Sequence, residues 1–150
     1  SVLIIMAIIA IVALPRFASV DAFASRGFFE ESLSGVRYAH KLAVASGCSI
    51  GVDFNATNNS YVLSRWLGGA DCTVRSTPLA TVQRPGGGGN FSAVAPNGVT
   101  ISNDLSFFFD RIGRPRNAAG VLITAASALR VDIDGRRIQV EPETGLVLGQ

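Results

Sequence analysis

The N-terminal stretch of the chain is apolar on every side. Residues 2–14 read VLIIMAIIAIVAL, roughly 13 consecutive residues without a charge or a polar side chain, and Pro15 follows them. As an α-helix this stretch would be about 20 Å long, whereas a bilayer core about 30 Å thick needs about 20 residues. Two interpretations therefore remain: a buried helix, or part of a longer apolar helix that begins upstream of Ser1.

The pattern after Pro15 predicts that the helix continues with one apolar face. From Phe17 onward, apolar residues recur at helical spacing at Phe29, Leu33, Val36 and Ala43. Proline removes a backbone donor, so a kink is expected at Pro15. The predicted helix extends to about residue 46, where Gly47 is a natural stop.

Alternating apolar and polar residues after the helix predict short strands. The predicted strands are residues 49–54, 61–66, 99–102, 105–110, 121–125, 129–133 and 137–140. Asp134-Gly135 is the strongest hairpin signal. Residues 77–97, with three prolines and the glycine run 86–89, predict a flexible surface loop. Together these features predict an α+β fold, in which one antiparallel sheet packs on the second half of the helix.

A helix that is apolar all round at first and amphipathic afterwards needs two environments. The apolar segment, residues 1–20, can lie in a membrane or in a bundle of identical helices. Residues 21–150 then form a globular head that includes the second half of the helix. The chain length of 150 residues suits one such domain.

The string SVLIIMAIIAIVALPRF resembles the N-terminal helix of type IV pilins and of the pseudopilins of type II secretion, and Pro15 matches the kinking proline of that family. Residues 108–145, with FFDRIGRPR and DIDGRRIQVEPETG, are similar to the heads of minor pseudopilins and of pilins of the mannose-sensitive haemagglutinin type. The resemblance implies that Ser1 lies several residues inside the mature protein. The family's N-methylated first residue and its glutamate at the fifth position would precede Ser1, and neither is carried over.

The resemblance implies a structural subunit of an extracellular filament on the bacterial surface, used for adhesion, motility or attachment. The subunit would be anchored in the inner membrane and would then form a helical homo-oligomer, with other pilins and the assembly machinery as further partners. A minor pilin or pseudopilin of a type II secretion or DNA-uptake system is the alternative. In both cases the side chains in the filament core or membrane would be Val2, Leu3, Ile4, Ile5, Met6, Ile8, Ile9, Ile11, Val12 and Leu14.

Six arginines cluster in sequence around two turns of the head. A formal net charge of +2 is too small to indicate a nucleic-acid partner by itself. Turns of one sheet can converge on a common edge, so we interpret these arginines as contacts to carboxylates of a neighbouring subunit, with DNA contact as the alternative. Some minor pilins similar to this head bind DNA through basic residues near their C-terminal turn, but the tail ETGLVLGQ is acidic and apolar. The arginines are Arg111, Arg114, Arg116, Arg130, Arg136 and Arg137, and the candidate carboxylates are Asp21, Glu30 and Glu31.

Cys48 and Cys72 are the only cysteines of the chain. With a single histidine they make a poor zinc site, because structural zinc needs four ligands. They make a plausible disulfide, and the head outside the cytoplasm that the resemblance implies predicts its oxidation. Two unrelated buried thiols remain the alternative.

Catalytic and cofactor-binding patterns are weak throughout. His40, the only histidine, has no nucleophile pattern around it. Asp132 and Asp134 lack the six or more oxygen ligands that calcium needs. The glycine run lacks the following GK[ST] of a phosphate-binding loop. We therefore expect no enzymatic activity, no cofactor and no metal ion.

Overall fold

A single long helix opens the fold. The computed structural model describes residues 2–69, 72, 74 and 79–150, with side chains from residue 22 onward. Helix α1 is Val2–Ser46, and the helix continues through Pro15 as the sequence predicted. Gly47 follows at φ +65°, the left-handed conformation that ends many helices. The kink at Pro15 stays a prediction.

Within the described ranges, nine strands form two antiparallel sheets. The first sheet has the order β3-β2-β1-β5-β6, with β4 also paired to β2, and the second has the order β7-β8-β9. The strands of the first sheet are β1 Ile50–Asn55, β2 Ser60–Arg65, β3 Ala80–Thr81, β4 Ser92–Val94, β5 Leu105–Phe109 and β6 Pro115–Arg116. Those of the second sheet are β7 Arg130–Ile133, β8 Arg136–Val140 and β9 Val147–Gly149, and the short 3-10 helix Ala126–Ala128 precedes β7.

The predicted α+β fold is confirmed, and its antiparallel strands divide between two sheets. Segment 99–102 lies between these sheets and does not form a strand of either. Its only bridge pairs Ile101 with Ile133, and the predicted strand at 121–125 is likewise reduced to a bridge between Leu122 and Arg116. Strand β9 was missed because it is short and bounded by glycine and the chain end. The predicted loop at 77–97 contains β3 and β4, while its exposed glycine run lies in the turn that joins them.

The hairpin predicted at Asp134-Gly135 is confirmed. Both residues have positive φ, +51° and +81°, which the two-residue turn requires. The turn places Ile133 opposite Arg136 and fixes the register of β7 and β8. Alternate residues of both strands then point into the core, with Val131, Ile133, Ile138 and Val140 all buried.

The core lies between one side of α1 and both sheets. Helix α1 contacts β1, β2 and β5 of the first sheet and β9 of the second. Each fully buried large aliphatic or aromatic side chain contributes about 1.5–3 kcal/mol, so this layer dominates the stability of the head. The helix supplies Phe28, Phe29, Leu33, Val36, Ala39 and Ala43 to it. Four of these were predicted from their spacing, and the side chain of Phe17 lies outside the described residues.

We predict that Gly145→Ala strongly destabilises the head. Gly145 has φ +69°, and a Cβ atom there would collide with the carbonyl oxygen of Gly113 and would lie 2.8 Å from Cδ2 of His40. The left-handed backbone and the collision together should lower the free energy of unfolding by about 3 kcal/mol or more. Denaturant unfolding of the full chain in detergent, followed by the fluorescence of buried Trp66, measures this.

Gly87→Ala is the matched control for this prediction. Gly87 also has positive φ, +81°, but a Cβ there would meet no atom within 4 Å. The control should therefore lose only the backbone term of about 1 kcal/mol. Equal losses in the two variants would contradict the close packing of Gly145.

Candidate functional site

From Ala22 to its end, α1 leaves one stripe of its surface exposed. The stripe lies opposite the buried face and begins with Phe23, whose side chain is 77% exposed. Its charge is mixed, with Arg26 and Glu30 near the start and two further basic residues near the end. The exposed residues of the stripe are Phe23, Arg26, Gly27, Glu30, Ser34, Arg37, Lys41 and Val44.

The apolar residues predicted for a filament core or a membrane belong to the first part of α1. Residues 2–14 and Pro15 are helical, and their side chains lie outside the described residues. In the described part of the chain, no helix combines the length and the apolar character that crossing a membrane requires.

Asp110 organises the turn between β5 and β6. Its Oδ1 accepts hydrogen bonds from the backbone N–H groups of Ile112 at 3.1 Å and Arg114 at 2.9 Å. Its Oδ2 accepts one from Nε of Arg116 at 2.8 Å. Burial raises the pKa of the Asp110 carboxyl, but the hydrogen bonds from Arg116 and from the backbone outweigh it and hold this pKa below its usual value. The carboxylate is therefore charged at neutral pH and fixes the shape of the turn.

The β7–β8 hairpin carries two further predicted arginines. Arg137 lies opposite Asp132, and its Nε donates a hydrogen bond of 2.7 Å to Oδ1 of that carboxylate. The guanidinium of Arg136 lies over the ring of Phe29, 5.8 Å from its centre, in a cation–π contact. Both side chains therefore have partners within the head.

The two arginine-bearing turns do not converge, which corrects the expectation of a common basic edge. The β5–β6 turn packs on α1 at His40, where a Cβ on Gly113 would lie 2.6 Å from Nε2. The hairpin arginine Arg136 instead contacts α1 at Phe29. These two helix positions are about 16 Å apart at 1.5 Å per residue. Because the turns belong to different sheets, the positive charge is divided between two places.

Glu31, predicted to contact a neighbouring copy, has partners inside its own chain. Its Oε1 accepts hydrogen bonds from Nη2 of Arg84 and from the hydroxyl of Tyr61. Arg84 also lies over the ring of Phe91, 5.2 Å from its centre. Burial and the carboxylate of Glu31 raise the pKa of Tyr61. The sequence analysis missed Arg84, because nothing in the glycine-rich segment indicates a partner 53 residues away.

A disulfide joins Cys48 to Cys72, so the disulfide prediction is confirmed. It connects the end of α1 to the segment after β2, where the backbone N–H of Ser49 also donates to the carbonyl of Cys72 at 3.2 Å. Closing a loop of this length contributes about 3.5 kcal/mol in the chain-entropy description. The bond therefore fixes the end of the helix to the segment that follows β2.

His40, Asp132 and Asp134 are the other residues that the sequence analysis considered for catalysis or metal binding. His40 packs edge-on against Phe109, with ring centres 5.2 Å apart. Within the described residues, no three side chains of His, Cys, Asp or Glu lie together as a metal site. Asp132 is instead paired with Arg137, and Asp134 is exposed in the hairpin turn.

We predict that Asp110→Asn destabilises the head at neutral pH and weakens its acid sensitivity. The folded-state pKa of Asp110 lies below its unfolded value, so its stabilisation is complete at neutral pH and is lost as the pH falls below about 4. Removing the charge should lower the free energy of unfolding at pH 7 by about 2 kcal/mol. Unfolding titrations between pH 7 and pH 3 measure both effects.

Asp134→Asn is the control for this prediction. Asp134 is an exposed hairpin residue without an ion pair among the described residues. Its variant should keep the acid sensitivity of the original chain. An Asp110→Asn variant as stable at pH 7 as the original chain would contradict the role assigned to this carboxylate.

Comparison with known proteins identifies the fold. No protein-family model matches the chain, and no curated protein matches it either. Among solved structures, the chain is similar to the minor pseudopilin EpsH from the type 2 secretion system of Vibrio cholerae, with a TM-score of 0.54 and 11% sequence identity. The match covers 86% of this chain and 94% of the pseudopilin. The chain therefore has a pilin-like fold, with one N-terminal helix and an antiparallel β-sheet head, as the resemblance implied.

Proposed function

We propose that the chain is a structural subunit of a pilin-like extracellular filament, of the type IV pilus or type II secretion kind. The observation that carries the proposal is the difference between the length of α1 and the length of helix that packs against the head. Helix α1 has 45 residues and is about 68 Å long. Among the helix side chains that the structure describes, those in the core lie between Phe28 and Ala43, about 24 Å of helix. The apolar residues 2–14 come before this part of the helix, and we infer that another source covers them.

Lipid and neighbouring helices are the two sources of that cover. Before assembly, the apolar segment would anchor the subunit in the inner membrane together with any residues upstream of it. In the filament the same segment would pack against the helices of other subunits, and Pro15 would let the helix bend between the two settings. Burial of apolar surface supports both states, so assembly needs no catalytic residue.

Two forms of this function differ in copy number. In the first, the subunit repeats along a homo-oligomeric filament that serves adhesion, motility or attachment. In the second, it is a minor pilin or pseudopilin that joins other pilins in few copies, and the likeness in fold to a minor pseudopilin supports this form. DNA binding has less support, since Arg116 and Arg137 are paired with carboxylates of the head.

We predict that a tag placed in the exposed glycine turn will mark filaments on the producing cells. Residues 86–89 are exposed and lie away from the core, so an epitope inserted after Gly87 should leave the fold intact. Immunogold labelling along whole filaments would identify the repeating form, and labelling at one end only would identify the minor form. Tagged protein that never appears on a filament would contradict the proposed function.

We also predict that Ile9→Lys blocks assembly. A lysine near the middle of the apolar segment costs about 2.5–3.5 kcal/mol in a membrane and would be unpaired among packed apolar helices. The variant should yield at least about tenfold less protein in the sheared filament fraction. Ala119→Lys, at an exposed turn of the head, is the control and should assemble normally. Normal assembly of the Ile9→Lys variant would contradict burial of this segment.

A further inference from the structure

We propose that the described part of the chain carries both halves of a contact between copies. Phe23 and Glu30 of one copy dock on an apolar patch at the C-terminal end of α1 in the next copy. This patch, called the end patch, consists of Val44, Ile112 and Leu146. Its basic rim consists of Arg37, Lys41 and Arg111. The inference rests on the proposed function and specifies which surfaces of two heads meet.

Two glycine turns build the end patch around His40. A Cβ on Gly113 would lie 2.6 Å from Nε2 of His40 and 3.0 Å from Cγ2 of Val44, and a Cβ on Gly145 would lie 2.8 Å from Cδ2 of His40. Because Ile112 and Leu146 adjoin these glycines in sequence, both turns bring an aliphatic residue beside the end of the helix. The side chains of Val44, Ile112 and Leu146 are 50%, 60% and 55% exposed.

A depression of about 440 Å³, lined in part by Leu146 of the end patch, is large enough to accept an aromatic ring. Its wall is formed on one side by α1 and on the other by the segment that leads into β9. The lining residues are Arg37, His40, Lys41, Thr144, Leu146 and Val147.

The end patch is held in place before any partner arrives. The backbone N–H of Ile112 donates to Oδ1 of Asp110, and Gly113 donates to the carbonyl of the same residue at 2.8 Å. On the other side, Nε of Arg37 donates to the carbonyl of Val147 at 3.3 Å. A partner would therefore lose little affinity to the ordering of these turns.

The charge of the rim favours an acidic partner. In the part of the chain that the structure describes, Arg37, Lys41 and Arg111 form no ion pair. The turn at residues 141–145 contributes the carboxylates of Glu141 and Glu143, so the positive charge is concentrated on α1 and on Arg111. An apolar side chain accompanied by a carboxylate on the Arg111 side would complement this surface.

The exposed stripe of α1 presents that combination. Phe23 has the largest exposed fraction, 77%, of the large hydrophobic side chains described. Glu30 follows two turns later, about 10 Å along the helix and about 20° from Phe23 around it. Unlike Glu31, which is paired with Arg84, Glu30 forms no ion pair among the described residues. Arg26 lies at the margin of the stripe, about 60° from Phe23.

A second copy of this chain is therefore the occupant to which the proposal commits. Since the two surfaces differ, the contact is heterologous, and repetition without closure produces an open helical array. Phe23 and Val44 are separated by about 31 Å along the helix. Copies in contact, with parallel helices, should therefore be offset along the filament by about 31 Å.

Cysteine cross-linking in assembled filaments tests the contact. Cells would make two forms of the full chain together, one with Phe23→Cys and one with Ile112→Cys, and the filaments would be oxidised and run on a non-reducing gel. We expect a cross-linked dimer that forms at least about fivefold more when both variants are present than with either alone. Phe23→Cys paired with Val94→Cys is the control, because Val94 is 71% exposed in β4 but lies outside the end patch.

The outcomes separate this inference from the proposed function. Filaments that contain both variants but give no dimer between positions 23 and 112 would overturn the contact and leave the filament function standing. The same conclusion would follow if the control pair gave an equal amount of dimer between positions 23 and 94. Protein that never enters a filament would overturn both.

Charge reversal provides a second measurement that needs no added cysteine. Glu30→Lys and Arg111→Glu should each lower the amount of sheared filament about fivefold or more, because each places like charges together at the contact. The double variant should recover most of the loss. Additive losses, with no recovery in the double variant, would refute the pairing of these two residues.

Discussion

The burial of one side of α1 against both sheets is the interaction on which the rest of the head depends. The strands of the two sheets share few direct contacts. Segment 99–102 lies between them and joins the second sheet through the bridge between Ile101 and Ile133 and two hydrogen bonds beside it. Helix α1 contacts strands of both. Buried helix side chains such as Leu33 and Val36 therefore belong to one hydrophobic core together with side chains of both sheets.

The same packing decides which surface is left for partners. Since the core face of α1 is covered, its opposite stripe remains exposed along the whole head. Phe23 and Glu30 lie near the start of the stripe, while Lys41 and Val44 lie near its end. The head thus presents different chemistry at its two ends, which suits repeated contacts in one direction along a filament.

The arginines show how local pairing changes a charge pattern. Several of them are close in sequence, yet the carboxylates of Asp110 and Asp132 hold Arg116 and Arg137 within the head. Desolvation makes a partly buried guanidinium costly unless a carboxylate or a ring faces it. Arg111 has no such ion pair within the part of the chain that the structure describes, so its charge remains on the surface.

Local patterns in the sequence determined the parts of the fold that local physics controls. Helical spacing and Gly47 predicted α1, and the Asp134-Gly135 pair predicted the hairpin. Most of the predicted strands lie within a few residues of the observed ones. The split into two sheets, the strand β9, the ion pair of Glu31 with Arg84 and the packing of two glycine turns on His40 were decided by the tertiary structure alone. The physical reason is that these features join residues tens of positions apart, whose meeting depends on how the whole head packs and not on any short pattern.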